Sequence, residues 1–153
     1  MKIATYNVNS IRQRLPILVE WLAENEPDVM AIQETKVEDS KFPLEEIEDL
    51  GYHVSFHGQK SWNGVATISR EPLMNVSTGF GDPIFPEDCR ILTGETSGVT
   101  VINTYVPNGT EVGTDKFEYK MQWLRALRDW LREELALHPR LVLMGDFNVA
   151  PED

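Results

Sequence analysis

Hydrophobic positions along the chain switch between strand-like runs and helix-like stripes, and the order of the switches predicts the architecture. Lys2 to Asn7 reads as a short buried strand that ends in a polar turn at Asn9-Ser10. Ile11, Leu15, Leu18, Val19 and Leu22 then recur at helical spacing, and Pro16 is placed in the first turn, where proline is tolerated. Glu26-Pro27-Asp28 stops that helix, and Val29 to Ile32 forms a second apolar strand running into Gln33-Glu34-Thr35. Pro43 to Leu50 predicts one or two acidic helical turns. His53–His57 and Gly64–Ser69 read as paired strands, with Ser61-Trp62-Asn63-Gly64 supplying turn chemistry.

The second part of the chain repeats the alternation. Val76 to Glu87 is rich in Gly and Pro and predicts a loop. Arg90–Glu95 and Val99–Tyr105 predict a hairpin around Ser97-Gly98, and Pro107-Asn108-Gly109 opens another loop. Phe117, Met121, Leu124, Leu127 or Arg128, Leu131 and Leu135 mark a long amphipathic helix that His138-Pro139 ends. Leu141 to Met144 is a last buried strand before Gly145-Asp146-Phe147-Asn148. Strand–helix–strand units at both ends, with strands between them, predict a mixed α/β sandwich. No internal repeat or linker divides it.

Composition narrows the class only a little. A chain of 153 residues, 41% hydrophobic, suits one core. No apolar run reaches bilayer length, and Met1-Lys2-Ile3-Ala4-Thr5 lacks the hydrophobic stretch of a signal peptide. The single cysteine, Cys89, cannot form an internal disulfide, and these features favour a cytoplasmic protein without membrane contact. A formal net charge of −11 opposes broad nonspecific binding to nucleic acid, because phosphate neutralisation needs Lys and Arg. Local basic loops and a carboxylate-held metal remain compatible with a nucleic-acid enzyme.

Candidate chemistry sits at the strand ends. Asn7, Glu34, Tyr105, and the pair Asp146 and Asn148 each follow an apolar strand, where ligands of α/β sheets gather. Carboxylate and amide oxygens with retained waters are what Mg²⁺ prefers, and Asp146 is suited to orient or deprotonate a water. The plainer alternative is that each Asn or Asp forms a turn or a helix cap, and that Glu34 is solvated or paired with Lys36.

Four segments resemble the exonuclease III family of abasic-site endonucleases: residues 4–12 (ATYNVNSIR), 32–36 (IQETK), 101–109 (VINTYVPNG) and 144–151 (MGDFNVAP). Tyr52-His53, His57-Gly58 and Gly64-Val65-Ala66 fall between them in the expected order, so the resemblance covers residues 1–153. It implies one endonuclease/exonuclease/phosphatase domain, of which this chain is the N-terminal part. It also implies an α/β fold, the N-terminal half of a four-layer sandwich: one mixed sheet with flanking helices, its second sheet layer missing.

The implied activity is Mg²⁺-dependent hydrolysis (Mn²⁺ being an alternative) 5′ to abasic sites in double-stranded DNA, with action on 3′ ends as exonuclease or phosphatase. Glu34 and Asn7 resemble the metal ligands, with Asp146 and Asn148 touching a second metal position. Asp146 resembles the residue acting on the nucleophilic water, Asn148 the phosphate holder and Tyr105 the phenol at phosphate or leaving group. Arg12 and Arg90 resemble DNA-backbone-contacting or loop-anchoring arginines, and Asn108 a phosphate contact.

The family pattern also includes a further aspartate and a late Asp-His pair, absent here; His53, His57 and His138 are read as structural or solvated, and Lys120 as a helical charge pair. A missing sheet layer would leave an inner face wet, and even ~400 Å² of it forfeits roughly 10 kcal/mol. The expectation is therefore a weakly active or inactive fragment that self-associates, from a full-length protein that is a monomer. Two alternatives stand beside this: a related phosphoesterase acting on inositol phosphates or sphingomyelin, and a noncatalytic module that dimerises.

Overall fold

The computed structural model describes residues 1–81, 85 and 88–150. Among these residues, eight strands build two four-stranded sheets. The first contains β1 (Ile3–Asn7), β2 (Val29–Gln33), β3 (His53–His57) and β4 (Val65–Ser69), in the spatial order β1-β2-β4-β3. The second contains β5 (Met74–Thr78), β6 (Ile91–Thr96), β7 (Val99–Tyr105) and β8 (Leu141–Asp146), in the order β5-β6-β7-β8. Both sheets are mixed: β1 with β2 and β7 with β8 are parallel, and the other pairs are antiparallel. Each parallel pair is joined by a helix, α1 (Ile11–Asn25) in the first sheet and α3 (Asp115–Leu137) in the second. The short α2 (Glu45–Glu48) lies between β2 and β3.

Period-two alternation assigns the faces. Met30, Ile32, Ala66 and Ile68 point outward and pack with Ile11, Leu18 and Leu22 of α1. Ile91 and Ile102 of the second sheet pack with Trp123 and Leu127 of α3. The alternate residues Val29, Ala31, Val101 and Met144 meet between the sheets, as do Val65, Leu92 and Tyr105. The layer order is helix, sheet, sheet, helix.

The α/β sandwich is the architecture the sequence predicts, but both sheet layers are present, so the expected single sheet and bare inner face are corrected. Hydrophobic alternation says which way a residue points and not which strands pair. Strands β5 to β8 pair only with one another, and their inner face covers that of the first sheet. The second sheet covers Val29 and Ala31, but β1, expected to be buried, is mostly exposed, and Ile3 on its inner face is 43% exposed.

Three smaller differences have local causes. Val76 lies within β5, where a strand replaces the start of the expected loop; the remainder of that stretch falls partly on residues 82–84 and 86–87, outside the described ones. Strand β5 is an exposed edge of only five residues, and its pairing register shifts between Met74 and Ser77, where Asn75 has φ of 51°, so the Met74–Val76 alternation is too short to mark a strand beside the Gly- and Pro-rich stretch. Pro16 sits in the second turn of α1, beyond the N-terminal turn where its missing N–H costs nothing. The buried stripe of α3 is Lys120, Trp123 and Leu127, so of the expected positions Leu127 is central, Leu124 and Leu131 pack beside it, and Leu135 is 54% exposed.

Candidate active site

All the strand-end residues singled out by the sequence lie on one rim of the sandwich. β1 and β2 run parallel and deliver Asn7 and Gln33 side by side, with Glu34 next in the chain. β7 and β8 deliver Tyr105 opposite Asp146 in register. Backbone hydrogen bonds lace the connecting loops together. Ser10 N–H donates to Glu34 O at 2.8 Å, Lys36 N–H to Asn63 O at 2.9 Å, and Val106 N–H to Asp146 O at 2.9 Å. Glu34 itself has φ of 54° and Asn148 of 49°, left-handed conformations that are costly outside glycine and are tolerated best by Asn. From this backbone conformation the Glu34 carboxylate meets the Asn7 amide.

The two carboxylates meet at one amide. Asn7 Nδ2 donates to Glu34 Oε1 at 2.8 Å and to Asp146 Oδ2 at 2.7 Å. Asn7 Oδ1 accepts the Asn9 N–H at 3.0 Å, and Asp146 Oδ1 accepts the Asn148 N–H at 2.9 Å. Both residues thus form the side-chain turn that the plainer alternative proposed, while their second polar atoms face the site. Turn and site roles coexist because they use different atoms. The reading of Glu34 as paired with Lys36 also stands, with Nζ 3.2 Å from Oε2.

Burial pushes the Glu34 carboxyl up, but hydrogen bonds from Asn7, Tyr105 and Lys36 and the Lys36 charge outweigh it. The net effect holds Glu34 below its ordinary value and keeps it ionised. Tyr105 moves the other way. Burial first, then its hydrogen bond to the Glu34 carboxylate, pushes its phenol up to about 12. Tyr105 is therefore a proton-bearing donor at neutral pH. The Arg90 guanidinium stacks 5.0 Å from the centre of its ring and donates to Tyr105 O at 3.3 Å.

Asn148 Nδ2 donates to Val106 O at 2.7 Å, and its carbonyl accepts from Lys120 Nζ. Lys120 is 8% exposed, so it is an internal anchor for the Asn148 loop and not the helical charge pair expected. Its spacing to Trp123 and Leu127 on the buried stripe was the available signal. Asn108 is exposed, accepts the Thr110 N–H at 2.8 Å, and lines an open cleft of about 440 Å³ with Trp62, Arg90, Tyr105, Lys116 and Tyr119. Arg12 stands apart, exposed on the first turn of α1. His138 lies 3.9 Å from both Glu95 and Glu134, at the end of the sandwich opposite the rim.

The donor set fits a hard divalent cation: two carboxylates and neighbouring amide oxygens, with no sulfur and no imidazole. Among the described residues no three His, Cys, Asp or Glu side chains converge, so an ion held here keeps several waters. Asn7 presents its nitrogen to the carboxylates, and ligation through Oδ1 requires its amide to turn over.

Fold and rim together define a class, the two-sheet α/β sandwiches with an oxygen-donor site where the strands end. The chain belongs to the Endonuclease/Exonuclease/phosphatase family, which it matches over residues 4–153. It is 36% identical to exodeoxyribonuclease III of Haemophilus influenzae, over 100% of this chain and 59% of that protein. Exodeoxyribonuclease of Bacillus subtilis is 31% identical over 100% of this chain and 60% of its own length. Two solved structures superpose closely. The 3′-5′ exonuclease of Neisseria meningitidis has a TM-score of 0.94 at 43% identity, covering 99% of this chain and 59% of that one. An AP endonuclease of Archaeoglobus fulgidus has a TM-score of 0.94 at 47% identity, with the same coverage of 99% and 59%. The chain spans about 60% of the length of these relatives.

Proposed function

We propose that the chain is the N-terminal part of a DNA repair nuclease that hydrolyses the phosphodiester 5′ to abasic sites with a divalent cation, Mg²⁺ by preference and Mn²⁺ as substitute. Action on 3′ ends as exonuclease or phosphatase belongs to the same reading, because one phosphoester site serves all three. The observation that carries it is the convergence of Glu34 and Asp146 on the single amide of Asn7. Two carboxylates brought together at a strand-end rim repel each other, and a divalent cation relieves that repulsion. The relatives support a DNA substrate: they include exodeoxyribonucleases, an AP endonuclease, and a 3′ phosphatase from Neisseria bound to a product DNA hairpin.

Glu34, Asp146 and the amide oxygen of Asn7 would hold the ion, with Asn148 beside them. Bound there, the cation supplies polarisation of a phosphoryl oxygen and neutralises charge on the leaving oxygen. The remaining work falls to the chain. Asp146 accepts a hydrogen bond from an incoming water and orients it toward phosphorus. The Tyr105 hydroxyl, which keeps its proton and donates to Glu34 here, would turn from that carboxylate to donate to a phosphate oxygen or to the leaving group. Asn148 places an amide against the phosphate. Arg90 and Asn108, on the adjoining cleft, contact the DNA backbone, and Arg12 does so from the neighbouring helix. Single-cysteine chemistry suits a reducing cytoplasm, and we assign the full-length form as a monomer there.

The test is cleavage of a duplex carrying one abasic site, with Mg²⁺ and with chelator, beside inositol phosphate as a competing substrate class. In the full-length protein, magnesium-dependent incision 5′ to the lesion is expected, with no release from inositol phosphate and weak or no incision by residues 1–153 alone; the reverse substrate preference would overturn the DNA reading. Glu34→Gln should lower Mn²⁺ affinity and incision by roughly 100-fold or more while the thermal melt stays cooperative. Unchanged Mn²⁺ binding in that variant would remove Glu34 from the site.

A further inference from the structure

Beneath the rim lies a set of buried amides that the chemistry above leaves unused. Facing sheets usually bury apolar side chains, and here Val29, Ala31, Val101 and Met144 do so. Nearer the rim the layer turns polar. Gln33 and Asn103 are 1% and 0% exposed, and Gln33 Nε2 donates to Asn103 Oδ1 across the sheet gap at 2.8 Å. Asn103 Nδ2 donates in turn to the carbonyls of Ala66 at 2.8 Å and Ile32 at 3.1 Å, both in the opposite sheet. Ile32 and Ala66 are register partners in β2 and β4. Gln33 Nε2 also reaches Thr5 Oγ1 at 3.1 Å. Four strands from two sheets are joined by these bonds.

Each member stands beside a site residue. Thr5 is two residues before Asn7 and Asn103 two before Tyr105, so period-two alternation puts each pair on one face. Gln33 immediately precedes Glu34, and Tyr105 pairs in register with Asp146. Apolar surfaces have little preference for one alignment over its neighbours, because dispersion and burial are non-directional. A buried amide that slips off its carbonyls loses its hydrogen bonds without regaining water. The polar contact therefore fixes an alignment that packing alone leaves soft.

We infer that Asn103 is a positioning residue: clamped by Gln33 and by the carbonyls of β2 and β4, its side chain registers the second sheet, with Tyr105 and Asp146, against Glu34 and Asn7 of the first. This inference rests on the site being the cation-binding phosphoester site proposed above.

The experiment uses Asn103→Leu in the full chain with two readouts, Mn²⁺ affinity and the NMR resonances of the Asn7 side-chain amide, recorded without metal. Asn103→Leu should move the Asn7 resonances and weaken Mn²⁺ binding by roughly 10–100-fold. Ile102→Val is the control: it thins the same strand on the α3 side and should leave both readouts in place. Equal effects from the two variants, or an Asn7 amide unmoved by Asn103→Leu, would overturn the positioning role. Should Asn103→Leu fail to fold, Gln33→Met carries the same test, since it removes the Gln33 bonds and leaves those from Asn103 to the carbonyls. Were the unaltered chain to bind no Mn²⁺ while the Asn7 amide still responded, the cation reading would fail and the positioning role would stand.

Discussion

At the scale of single residues, the rim works by giving each polar atom a separate task. Asn7 closes a turn with its oxygen and holds two carboxylates with its nitrogen. Asp146 closes a turn with one oxygen and offers the other to the site. Sequence could name these residues but could not say which atom did which. Lys120 shows the opposite case, a side chain whose role was hidden by an ordinary helical context. Its ammonium is buried and holds the Asn148 carbonyl, so Lys120→Met keeps the aliphatic stem and leaves that acceptor unpaired. The expected cost is ~1–2 kcal/mol in urea denaturation. Incision should fall by about tenfold as the Asn148 loop loses its anchor, through kcat more than KM. A variant with wild-type turnover would show that the anchor is dispensable to the site.

At the scale of elements, β7 and β8 carry the arrangement, because they bring Tyr105 and Asp146 together. Their closeness depends on Gly145, whose φ is 151° and where a Cβ would stand 1.8 Å from the Thr104 carbonyl oxygen. No side chain fits between those backbones. Gly145→Ala should therefore cost at least ~2 kcal/mol and separate Asp146 from its partners, seen as a lower urea midpoint together with lost Mn²⁺ binding. Helix α3 holds the outer face through Trp123, 3% exposed. Trp123→Ala should cost ~3–5 kcal/mol by leaving a cavity against Ile91 and Ile102, with metal affinity unchanged in the fraction that remains folded. The two variants separate strand pairing from outer packing. Strong periodic elements such as α1 and β2 were legible in the sequence. The edge strand β5 was not, because its alternation is only Met74 and Val76, is broken by a register shift, and borders a Gly- and Pro-rich stretch.

At the scale of the whole molecule, the raised Tyr105 phenol links the site to stability. Its folded value is about 12 against an ordinary 10.0, so the folded state holds a proton that the unfolded chain gives up in that interval. Stability from this group is complete below the unfolded value and is lost as pH rises through the folded one. Tyr52 and Tyr119 are also raised by burial, so the comparison must be with Tyr105→Phe, which keeps both. The urea midpoint of the unaltered chain should fall more steeply than that of Tyr105→Phe between about pH 10 and 12; parallel profiles would place Tyr105 in water. Among the described residues no helix is long and apolar enough to cross a membrane.

What the sequence determined by itself was the order of elements apart from β5, and the cast of rim residues. Both follow from local rules: alternation marks strands, helical spacing marks α1 and α3, and polar residues after apolar strands mark the rim. What only the tertiary structure decided was pairing. The division into two sheets, the meeting of Glu34 with Asp146 on Asn7, and the buried Gln33–Asn103 contact all join residues distant in the chain. Side-chain periodicity carries direction but no address, so which strand lies beside which is settled by the packing of the complete core.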